Sequence, residues 1–423
     1  QIYHHHNDLF HFEDVGKICY TWLGPYPRVI VINLDMIRDI LSTKFGHFEK
    51  PKLDPLGELL INGLVAYEGD KWAKHRRIIN PAFHVEKLKK LVGPNGSCEL
   101  DVWPELQNFT GDVISRTAFG SSFEEGRRIF QLQAELAELL IQGAQNIFIP
   151  GYSFFPTKRN RRMKEIAKEV QGLLRNMIMK REKEMKLGIT PNDDLLSLLL
   201  ESNLKYYKEN GSIKKFKMTI EDVIEECKLF YFAGQETTSD LLTWTMVVLS
   251  VNPSWQARAR EEVLKVFGKA KPDFDSLGQL KVVTMILYEV LRLYPPAIYL
   301  LRSTFKTMEL GGFTFPAGLQ FILPILSIHH DPTFWGEDAN EFNPERFSEG
   351  VSKASKHQMA FMPFGGGPRI CVGQNFAMIE AKLGLPMILQ HFSFDLAPSY
   401  THAPYRVLTL QPQHGAQLIL HKL

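Results

Sequence analysis

Ten residues near the C-terminal end, Phe364 to Gly373, read FGGGPRICVG, and they decide how the rest of the chain is interpreted. The three consecutive glycines carry no Cβ, so this loop can lie flat against a large planar group. Cys371 comes just before a stretch, 374–391, that is predicted to form an amphipathic helix, and the amide groups at a helix N-terminus favour a thiolate. A glycine-rich turn with a buried structural cysteine is the alternative interpretation. With Arg369 also in register, the pattern favours a loop that holds a haem iron through Cys371 and pairs Arg369 with a haem propionate.

The composition of the whole chain is that of a folded globular protein. It has 423 residues, 44% hydrophobic and 23% charged, and 49 Lys and Arg against 47 Asp and Glu leave a net charge of +2. This composition excludes a disordered, collagen-like or coiled-coil chain, and it gives no reason to expect a nucleic-acid partner. The four cysteines form no C-x-x-C pair, so neither a zinc ribbon nor a thioredoxin-like motif is expected, and they are too sparse for a disulfide framework. No apolar run reaches the roughly 18 residues that would suggest a membrane-spanning helix.

The hydrophobic pattern predicts a mostly helical chain with a few short strands towards its two ends. Hairpins are predicted at 18–33, around Gly311-Gly312, and at 406–421. The predicted helices include 70–80, 111–119, 124–146, 160–186 and 374–391. The longest predicted helix runs from Thr219 to Val251, because Thr219 with Asp222 forms a capping signal and Asn252-Pro253 ends the pattern. A single domain over residues 1–423 is expected.

Four further motifs accompany the Cys371 loop. They are WAKHR at 72–76, AGQETT at 233–238, EVLR at 289–292 and PERF at 344–347. Together with the F-x-x-G-x-R-x-C-x-G pattern of 364–373, and in this order along the chain, they resemble the motifs of the cytochrome P-450 monooxygenases. The resemblance extends from about residue 18 to the C-terminus, and the agreement of five ordered motifs makes a chance match improbable.

The resemblance implies the cytochrome P-450 fold, which is mainly α with a small β subdomain. A helical bundle in this fold encloses haem b between a long oxygen-activation helix and the loop of the cysteine ligand, so Cys371 would be the axial ligand of the iron. The other cofactor-binding positions that the resemblance implies are Trp72, Arg76, Ala233, Arg302, Phe364, Gly365, Arg369 and Gly373. The tryptophan and the three arginines would hold the two propionates, which must be partly buried.

On the long helix, the resemblance implies that Thr237 and Glu236 handle protons during oxygen activation. Taken alone, Gln235 and Glu236 could be an ordinary polar face. Gly234 in a helix interior costs about 1 kcal/mol relative to alanine, which calls for a reason. Two reasons remain open: close packing against another helix, or room for dioxygen and a water above the haem beside Ala233.

Glu289 and Arg292 are three residues apart on one predicted helix face, where they could pair. Taken alone, such a pair is usually solvated and adds little to stability. The resemblance implies instead a buried network with Arg346 that fixes the shape of the haem loop. Its role would be structural and not chemical.

The candidate substrate pocket is apolar. Its residues are Leu60, Ile61, Leu64, Phe230, Ala233, Ile298, Tyr299 and Leu300. An apolar pocket with few polar groups suits a terpenoid skeleton, although each of these residues could equally belong to the core. The strings at 119–123, 156–160 and 232–238 resemble the plant clan of secologanin synthase and of the gibberellin, brassinosteroid, cytokinin and triterpenoid oxidases. The likeness is greatest to the branch that holds secologanin synthase and the triterpene oxidases.

The implied function is that of a monooxygenase. It would use O2 and two electrons from NADPH, passed through a flavin-containing reductase, to oxidise a plant terpenoid by hydroxylation or by a C–C cleavage of the secologanin type. Hydroxylation of a gibberellin, a brassinosteroid or a cytokinin is the first alternative. A reductase-independent haem-thiolate lyase or isomerase and a non-catalytic haem carrier are further alternatives, and the acid–alcohol pair Glu236-Thr237 argues against both.

The resemblance also implies partners and a location. Basic residues surround the Trp72 helix: Lys71, Lys74, Arg76, Arg77, Lys87, Lys89 and Lys90. Most such runs are solvated faces, but here they could speed docking of an acidic reductase on the proximal side of the haem. The protein is expected to be a monomer, and the consecutive His4-His5-His6 are interpreted as polar surface.

The relatives that the motifs suggest begin with a membrane anchor and a proline-rich hinge, which this sequence lacks. The chain is therefore expected to be the soluble catalytic domain of a protein on the cytosolic face of the endoplasmic reticulum membrane. The region from His84 to Asp101 also looks shorter than in that family, and neither difference touches a haem motif.

Overall fold

The computed structural model describes residues 18–23, 26–42, 46–79, 98–121, 123–143, 151–188, 194–201 and 218–423. Several expectations fall outside these ranges: those for His4-His5-His6, the turn at residues 24 and 25 within the hairpin predicted at 18–33, the basic residues Lys87, Lys89 and Lys90, and most of the short region that follows His84. Within the ranges that are described, no helix combines the length and the apolar character needed to cross a membrane.

Helices make up most of the described chain. They are α1 (Leu34–Ser42), α2 (Gly57–Leu60), α3 (Gly69–Ile79), α4 (Val102–Phe119), α5 (Phe123–Gln142), α6 (Lys158–Lys186), α7 (195–201), α8 (Ile220–Ser250), α9 (Pro253–Phe267), α10 (Lys281–Leu293), α11 (Ile325–His329), α12 (Pro332–Trp335) and α13 (Gln374–His391). Short 3-10 turns at Pro344–Phe347 and Gly367–Arg369 carry two of the motifs.

The strands are short. They are β1 (Ile18–Leu23), β2 (Tyr26–Val31), β3 (Phe48–Glu49), β4 (Cys98–Asp101), β5 (Leu300–Thr304), β6 (Met308–Leu310), β7 (Phe313–Phe315), β8 (Gln320–Leu323), β9 (Phe392–Leu396), β10 (Pro404–Arg406), β11 (Leu410–Pro412) and β12 (Gln417–Lys422). The prediction of a mainly α fold with a small β subdomain is confirmed.

The longest helix begins and ends where its sequence signals predict. Thr219 and Asp222 cap α8 reciprocally: the Asp222 N–H donates to the Thr219 hydroxyl at 3.0 Å, and the Thr219 N–H donates to the Asp222 carboxylate at 3.0 Å. Both groups satisfy helix-end atoms that would otherwise lack a partner. The helix ends at Ser250, and two residues, Val251 and Asn252, separate it from α9, which begins at Pro253.

Two helix predictions need correction. α4 begins at Val102 and not at residue 111, because a proline such as Pro104 is tolerated in the first turn of a helix. α13 has the predicted bounds, but it is not amphipathic, since buried residues lie on all its sides. A helix that is apolar all round is a core helix.

Two of the three predicted hairpins are present. β1 and β2 pair antiparallel, with Ile18 opposite Val31, and β6 and β7 pair through a two-residue turn at Gly311 and Gly312. The φ angles of these two glycines, 57° and 82°, suit the primed turns that join tight hairpins. The single hairpin predicted at 406–421 is wrong, because β10 pairs with β11 while β12 lies between β4 and β9.

The chain divides into two compact units. The first contains the described residues of 1–49, 88–107 and 237–423, and the second contains those of 50–87 and 108–236. The expectation of one catalytic domain over residues 1–423 stays a prediction.

In the first unit, α1 packs on a five-stranded sheet of order β1-β2-β8-β5-β3. β2 and β8 are parallel, and the other neighbours are antiparallel. The core between helix and sheet includes Ile37, Ile40, Val29 and Phe321, all 0% exposed. This core holds the C-terminal end of α1 and the strand β5 in place, and both border the Cys371 loop.

The second unit is helical and has an aromatic core. The rings of Phe119 and Tyr231 stack at 4.1 Å between centroids, and Phe130 meets Tyr231 edge-on at 5.1 Å. Near this core the buried Arg181 pairs with Asp194 and donates to the Phe119 carbonyl at 2.7 Å. These contacts hold α4, α6 and α8 together around the middle of the long helix.

Candidate active site

Residues 362–373, called the cysteine loop below, form a tight turn that is closed by its own backbone. The Gly365 N–H donates to the Met362 carbonyl at 2.9 Å, and the Cys371 N–H donates to the Phe364 carbonyl at 2.9 Å. Gly365 has a φ of 76°, which a residue with a side chain rarely adopts. The loop therefore depends on glycine at this position.

The other glycines of the cysteine loop seat it on α1. Gly367, at φ 65°, lies so close to α1 that a Cβ would collide with the Leu41 carbonyl. A Cβ on Gly366 would be 3.3 Å from the Leu41 Cδ1. A Cβ on Gly365 would be 3.5 Å from the Leu300 Cδ1 on β5. The expectation that all three glycines clear a surface for a planar group is therefore too broad.

The Cys371 side chain is exposed and stands just before α13, whose N-cap is Gly373. Gly373 has an ordinary φ of −88°, so its backbone does not require glycine. A Cβ there would lie 3.9 Å from the Cys371 Sγ, in ordinary van der Waals contact with it. Residue 373 is therefore next to the sulfur. An exposed sulfur beside a helix N-terminus fits the thiolate ligation of a haem iron.

The other three cysteines differ from Cys371 in their surroundings, and none of the four forms a disulfide. Burial raises the pKa of the Cys227 thiol, which lies inside α8, and also raises the pKa of Cys19. Cys98 is exposed but lies on strand β4. Cys371 is thus the cysteine that combines exposure with a position at a helix N-terminus.

Glu289 and Arg292 form a completely buried pair on α10. Arg292 donates through Nε and Nη2 to the two Glu289 carboxylate oxygens at 2.8 and 2.7 Å, and both side chains are 0% exposed. The Arg346 Nε lies 3.4 Å from the Glu289 Oε1, and Arg346 donates to the Trp335 carbonyl at 2.9 Å. This burial excludes the solvated alternative, and the distances place the three side chains in one network.

The middle of α8 is partly exposed, unlike the C-terminal part of the same helix. Its half-buried residues are Phe232, Ala233, Gly234 and Thr237, whereas residues 238–250 are buried throughout. Ala233 and Thr237 are four residues apart, so they share one face of the helix. Gln235 and Glu236 are only 9% and 7% exposed, which excludes the ordinary polar face. An acid and an alcohol therefore lie next to each other in largely dry surroundings.

Gly234 serves helix packing. A Cβ on Gly234 would come within 2.6 Å of the Ile114 Cγ1 on α4. At the same crossing, the Thr110 hydroxyl donates to the Gln235 carbonyl at 2.9 Å. The first of the two open reasons for this glycine therefore applies, and the place expected for Ala233 beside dioxygen stays a prediction.

The residues expected to hold the propionates lie in both units. Arg302 on β5 is 3% exposed and donates to the Leu301 carbonyl at 2.8 Å, while Arg369 is half-buried in the turn before Cys371. In the second unit, Trp72 and Arg76 are half-buried and four residues apart on α3, so they share a face. Arg302 is close in sequence to Leu300, against which the cysteine loop packs.

The candidate pocket residues divide into two groups by burial. Leu60, Leu64, Phe230 and Ile298 are at most 6% exposed. Ile61, Ala233, Tyr299 and Leu300 are half-buried. A side chain in a pocket wall must be partly exposed, so the second group stays a set of candidate pocket residues. The first group is equally explained as part of the hydrophobic core.

The sequence interpretation missed a buried pair between α3 and α8. The His75 Nδ1 lies 2.5 Å from the Glu226 Oε1, and the Glu226 Oε2 accepts from the Leu64 N–H at 3.0 Å. Burial raises the pKa of the Glu226 carboxyl, whereas the bonds from His75 and from the Leu64 N–H lower it. His75 sits inside the WAKHR motif, but no local pattern pointed to Glu226, because 151 residues separate the two.

Lys71, one of the basic residues expected to face a reductase, already has an anionic partner. Its Nζ lies 2.7 Å from the Asp222 Oδ1 and 3.8 Å from the centre of the Tyr67 ring. The charge of Lys71 is therefore largely balanced inside the second unit and contributes less to a basic surface than the sequence suggests.

Comparisons with known proteins agree with the motifs. A model of the family described as Cytochrome P450 matches residues 2–419. Cytochrome P450 CYP72A616 of Paris polyphylla is 64% identical over 426 residues, which cover 96% of this chain and 82% of that protein. Cytochrome P450 72A397 of Kalopanax septemlobus is 57% identical with the same coverage. The 11-oxo-beta-amyrin 30-oxidase of Glycyrrhiza uralensis is 54% identical over 96% of this chain and 81% of that protein. The chain therefore belongs to the cytochrome P450 family, as its five motifs predict, and it is a monooxygenase similar to those of plants.

Proposed function

We propose that this protein is a haem-thiolate monooxygenase that oxidises a plant triterpenoid. The observation that carries the proposal is the exposed Cys371 thiol, held at the N-terminus of α13 in a loop that glycines shape. The triterpenoid class is supported by the 11-oxo-beta-amyrin 30-oxidase of Glycyrrhiza uralensis, which is 54% identical, and by the apolar character of the candidate pocket.

Haem b is the proposed cofactor, and Cys371 is its proposed axial ligand. Once bound, the haem supplies the activation of dioxygen. Arg302 and Arg369, with Trp72 and Arg76, would bind the propionates, because a buried carboxylate needs a cationic or hydrogen-bonding partner. Phe364, Gly365 and Gly373 would lie against the haem beside the sulfur.

The chain's own contribution to the chemistry is the control of protons. One atom of O2 enters a C–H bond of the substrate, and the other leaves as water, so each turnover consumes two electrons and two protons. The Thr237 hydroxyl would hold a proton close to the reacting oxygen, and the adjacent buried Glu236 would resupply it. Ala233 shares the face of Thr237, and its small side chain leaves room there.

The proposed electron donor is an NADPH-dependent reductase that contains flavin. The proposed location is the cytosolic face of the endoplasmic reticulum membrane, as the family resemblance implies. Electron delivery in this scheme requires docking, and charge complementarity would make that docking dependent on salt.

The test of the substrate class uses the protein together with a plant cytochrome P450 reductase and NADPH. The probes are 11-oxo-beta-amyrin, a gibberellin and an iridoid glucoside. We expect a spin-state change and NADPH-dependent insertion of one oxygen atom with the triterpenoid. Turnover of only the gibberellin or only the iridoid would overturn the substrate class. A protein that binds haem but shows no reductase-dependent oxygen consumption would favour the non-catalytic haem carrier.

Removing the hydroxyl of Thr237 tests the proton assignment. In Thr237→Ala we expect haem binding and NADPH consumption to persist while product formation falls about 100-fold, the lower range of what a positioned proton donor contributes. The electrons then appear as hydrogen peroxide, measured as peroxide released per NADPH. Thr237→Ser, which keeps the hydroxyl, is the matched variant and should retain most of the product yield. Full coupling in Thr237→Ala would refute the assignment.

A further inference from the structure

His329, the last residue of α11, bridges two backbone segments of the first unit. Its side chain is 0% exposed. The ring Nδ1 lies 3.1 Å from the Arg292 carbonyl oxygen, and the ring Nε2 lies 3.1 Å from the Met362 backbone nitrogen. A carbonyl oxygen can only accept and a backbone N–H can only donate. The ring must therefore donate from Nδ1 and accept at Nε2, which is the neutral tautomer with its proton on Nδ1.

The two bridged residues belong to functional parts of the first unit. Arg292 pairs with Glu289, and its Nη1 also donates to the His329 carbonyl at 2.7 Å, so the contact between α10 and α11 is reciprocal. Met362 begins the cysteine loop, and its carbonyl accepts from the Gly365 N–H at 2.9 Å. The His329 ring thus connects the buried ion pair to Met362, which is the stem of the cysteine loop.

Simple filling of the core does not explain a histidine here. The ring stacks on Phe361, with 5.5 Å between centroids, and lies 6.3 Å from the centre of Trp335, so an apolar side chain would suit these neighbours. Burying two ring nitrogens is costly unless both have partners, and here both do. Burial, and next the charge of Arg292, lower the pKa of His329 to about 3. The ring consequently stays neutral, and its donor and acceptor sides keep their partners near neutral pH.

We propose that His329 is a positioning residue for Cys371. Its ring accepts a hydrogen bond from the Met362 N–H and donates one to the Arg292 carbonyl. These two bonds fix the start of the cysteine loop to α10, and so they hold the thiolate in the geometry for ligation. The inference rests on the proposed role of Cys371 as the haem ligand.

Two amide variants separate the halves of the bridge. The amide of glutamine reaches the place of Nε2, where its oxygen can accept from the Met362 N–H; the amide of asparagine reaches the place of Nδ1, where it can only donate to the Arg292 carbonyl. The first measurement is the difference spectrum of the reduced protein with carbon monoxide, followed in time under mild urea. In His329→Asn we expect the strongly red-shifted Soret band of the thiolate complex to be lost about ten times faster than in the unsubstituted protein. His329→Gln should remain close to the unsubstituted rate.

The neighbouring His330→Asn is the control for loss of a hydrogen-bonded histidine from the same place in the fold. The ring nitrogens of His330 lie 2.8 Å from the Asn340 Oδ1 and 3.0 Å from the Leu293 carbonyl oxygen. We expect His330→Asn to lower the unfolding temperature without a faster loss of the red-shifted band at equal distance from its own unfolding midpoint. If His329→Asn behaved in the same way, or if His329→Gln were as impaired as His329→Asn, the positioning role would be refuted.

Hydrogen exchange provides a readout that does not need haem. Peptides that cover residues 359–366 should exchange faster in haem-free His329→Asn than in haem-free His329→Gln, because the Met362 N–H loses its acceptor. If the unsubstituted protein lacked the red-shifted band, the proposed ligation would fail. The hydrogen-bond bridge would then be tested by hydrogen exchange alone, and equal exchange in the two variants would refute it.

Discussion

Replacing Cys371 with serine is expected to remove the thiolate-ligated haem spectrum and all monooxygenase turnover. Serine has nearly the shape of cysteine, so the loop can keep its hydrogen bond from residue 371 to the Phe364 carbonyl. Its hydroxyl, however, is a hard and weakly acidic ligand that cannot replace a thiolate on haem iron. The measurement is the spectrum of the dithionite-reduced protein with and without carbon monoxide. We expect no strongly red-shifted Soret band in the variant.

The matched control for this prediction is Cys98→Ser. Cys98 is also exposed, but it lies on β4, where Leu420 of β12 is its partner in the sheet. We expect this variant to keep the red-shifted band and the activity of the unsubstituted protein. A red-shifted band that survives in Cys371→Ser, or disappears in Cys98→Ser, would show that the ligand has been assigned to the wrong cysteine.

Neutralising Glu289 is expected to have the largest effect on stability. Glu289→Gln leaves the guanidinium of Arg292 buried without its charged partner, while its bonds to the carbonyls of His329 and Glu341 remain. Breaking a buried pair by removing one partner costs about 3–5 kcal/mol. That is a large share of the roughly 5–15 kcal/mol by which a protein is usually stable. The free energy of unfolding in urea, followed by circular dichroism and by the haem band, measures the loss.

The chain offers a closely matched control in Glu345→Gln. Glu345 pairs with Arg258 at 2.7 Å, but the two side chains are 49% and 47% exposed. An exposed pair contributes about 0–1 kcal/mol. Both variants make the same chemical change, and Glu345 is the neighbour of Arg346 in the same motif. Equal losses in the two variants would mean that burial of the Glu289 pair adds nothing to the free energy of unfolding.

Most of the local structure could be predicted from the sequence, because its determinants are close together along the chain. The cap made by Thr219 and Asp222 marks the start of α8, and the two glycines at 311 and 312 mark a hairpin. The prediction failed where pairing is distant: β12 lies between β4 and β9, and nothing in the segment 406–421 reveals the complementary edge at Cys98. Strand partners far apart in sequence leave no periodicity to detect.

In the candidate site, too, the sequence predicted what local spacing determines and missed what distant contacts determine. Motif spacing identified Cys371, Thr237 and the Glu289–Arg292 pair as positions of interest, because each motif places its residues on one loop or one helix face. Their catalytic roles stay predictions. The sequence did not reveal why particular positions are glycine. A Cβ on Gly234 would collide with Ile114, and a Cβ on Gly367 would collide with the Leu41 carbonyl of α1. Such reasons depend on atoms contributed by other elements.

By itself, the sequence determined the family, the mainly helical class of the fold, and the cysteine at the centre of the proposed chemistry. These properties follow from residue types at short, regular separations. Only the tertiary structure decided that Glu226 pairs with His75, and that His329 joins Arg292 to the stem of the cysteine loop. Both arrangements are hydrogen bonds between buried groups that are distant in the chain. A buried polar group needs a partner, but the chain order does not say which one, because that choice is made when the helices pack.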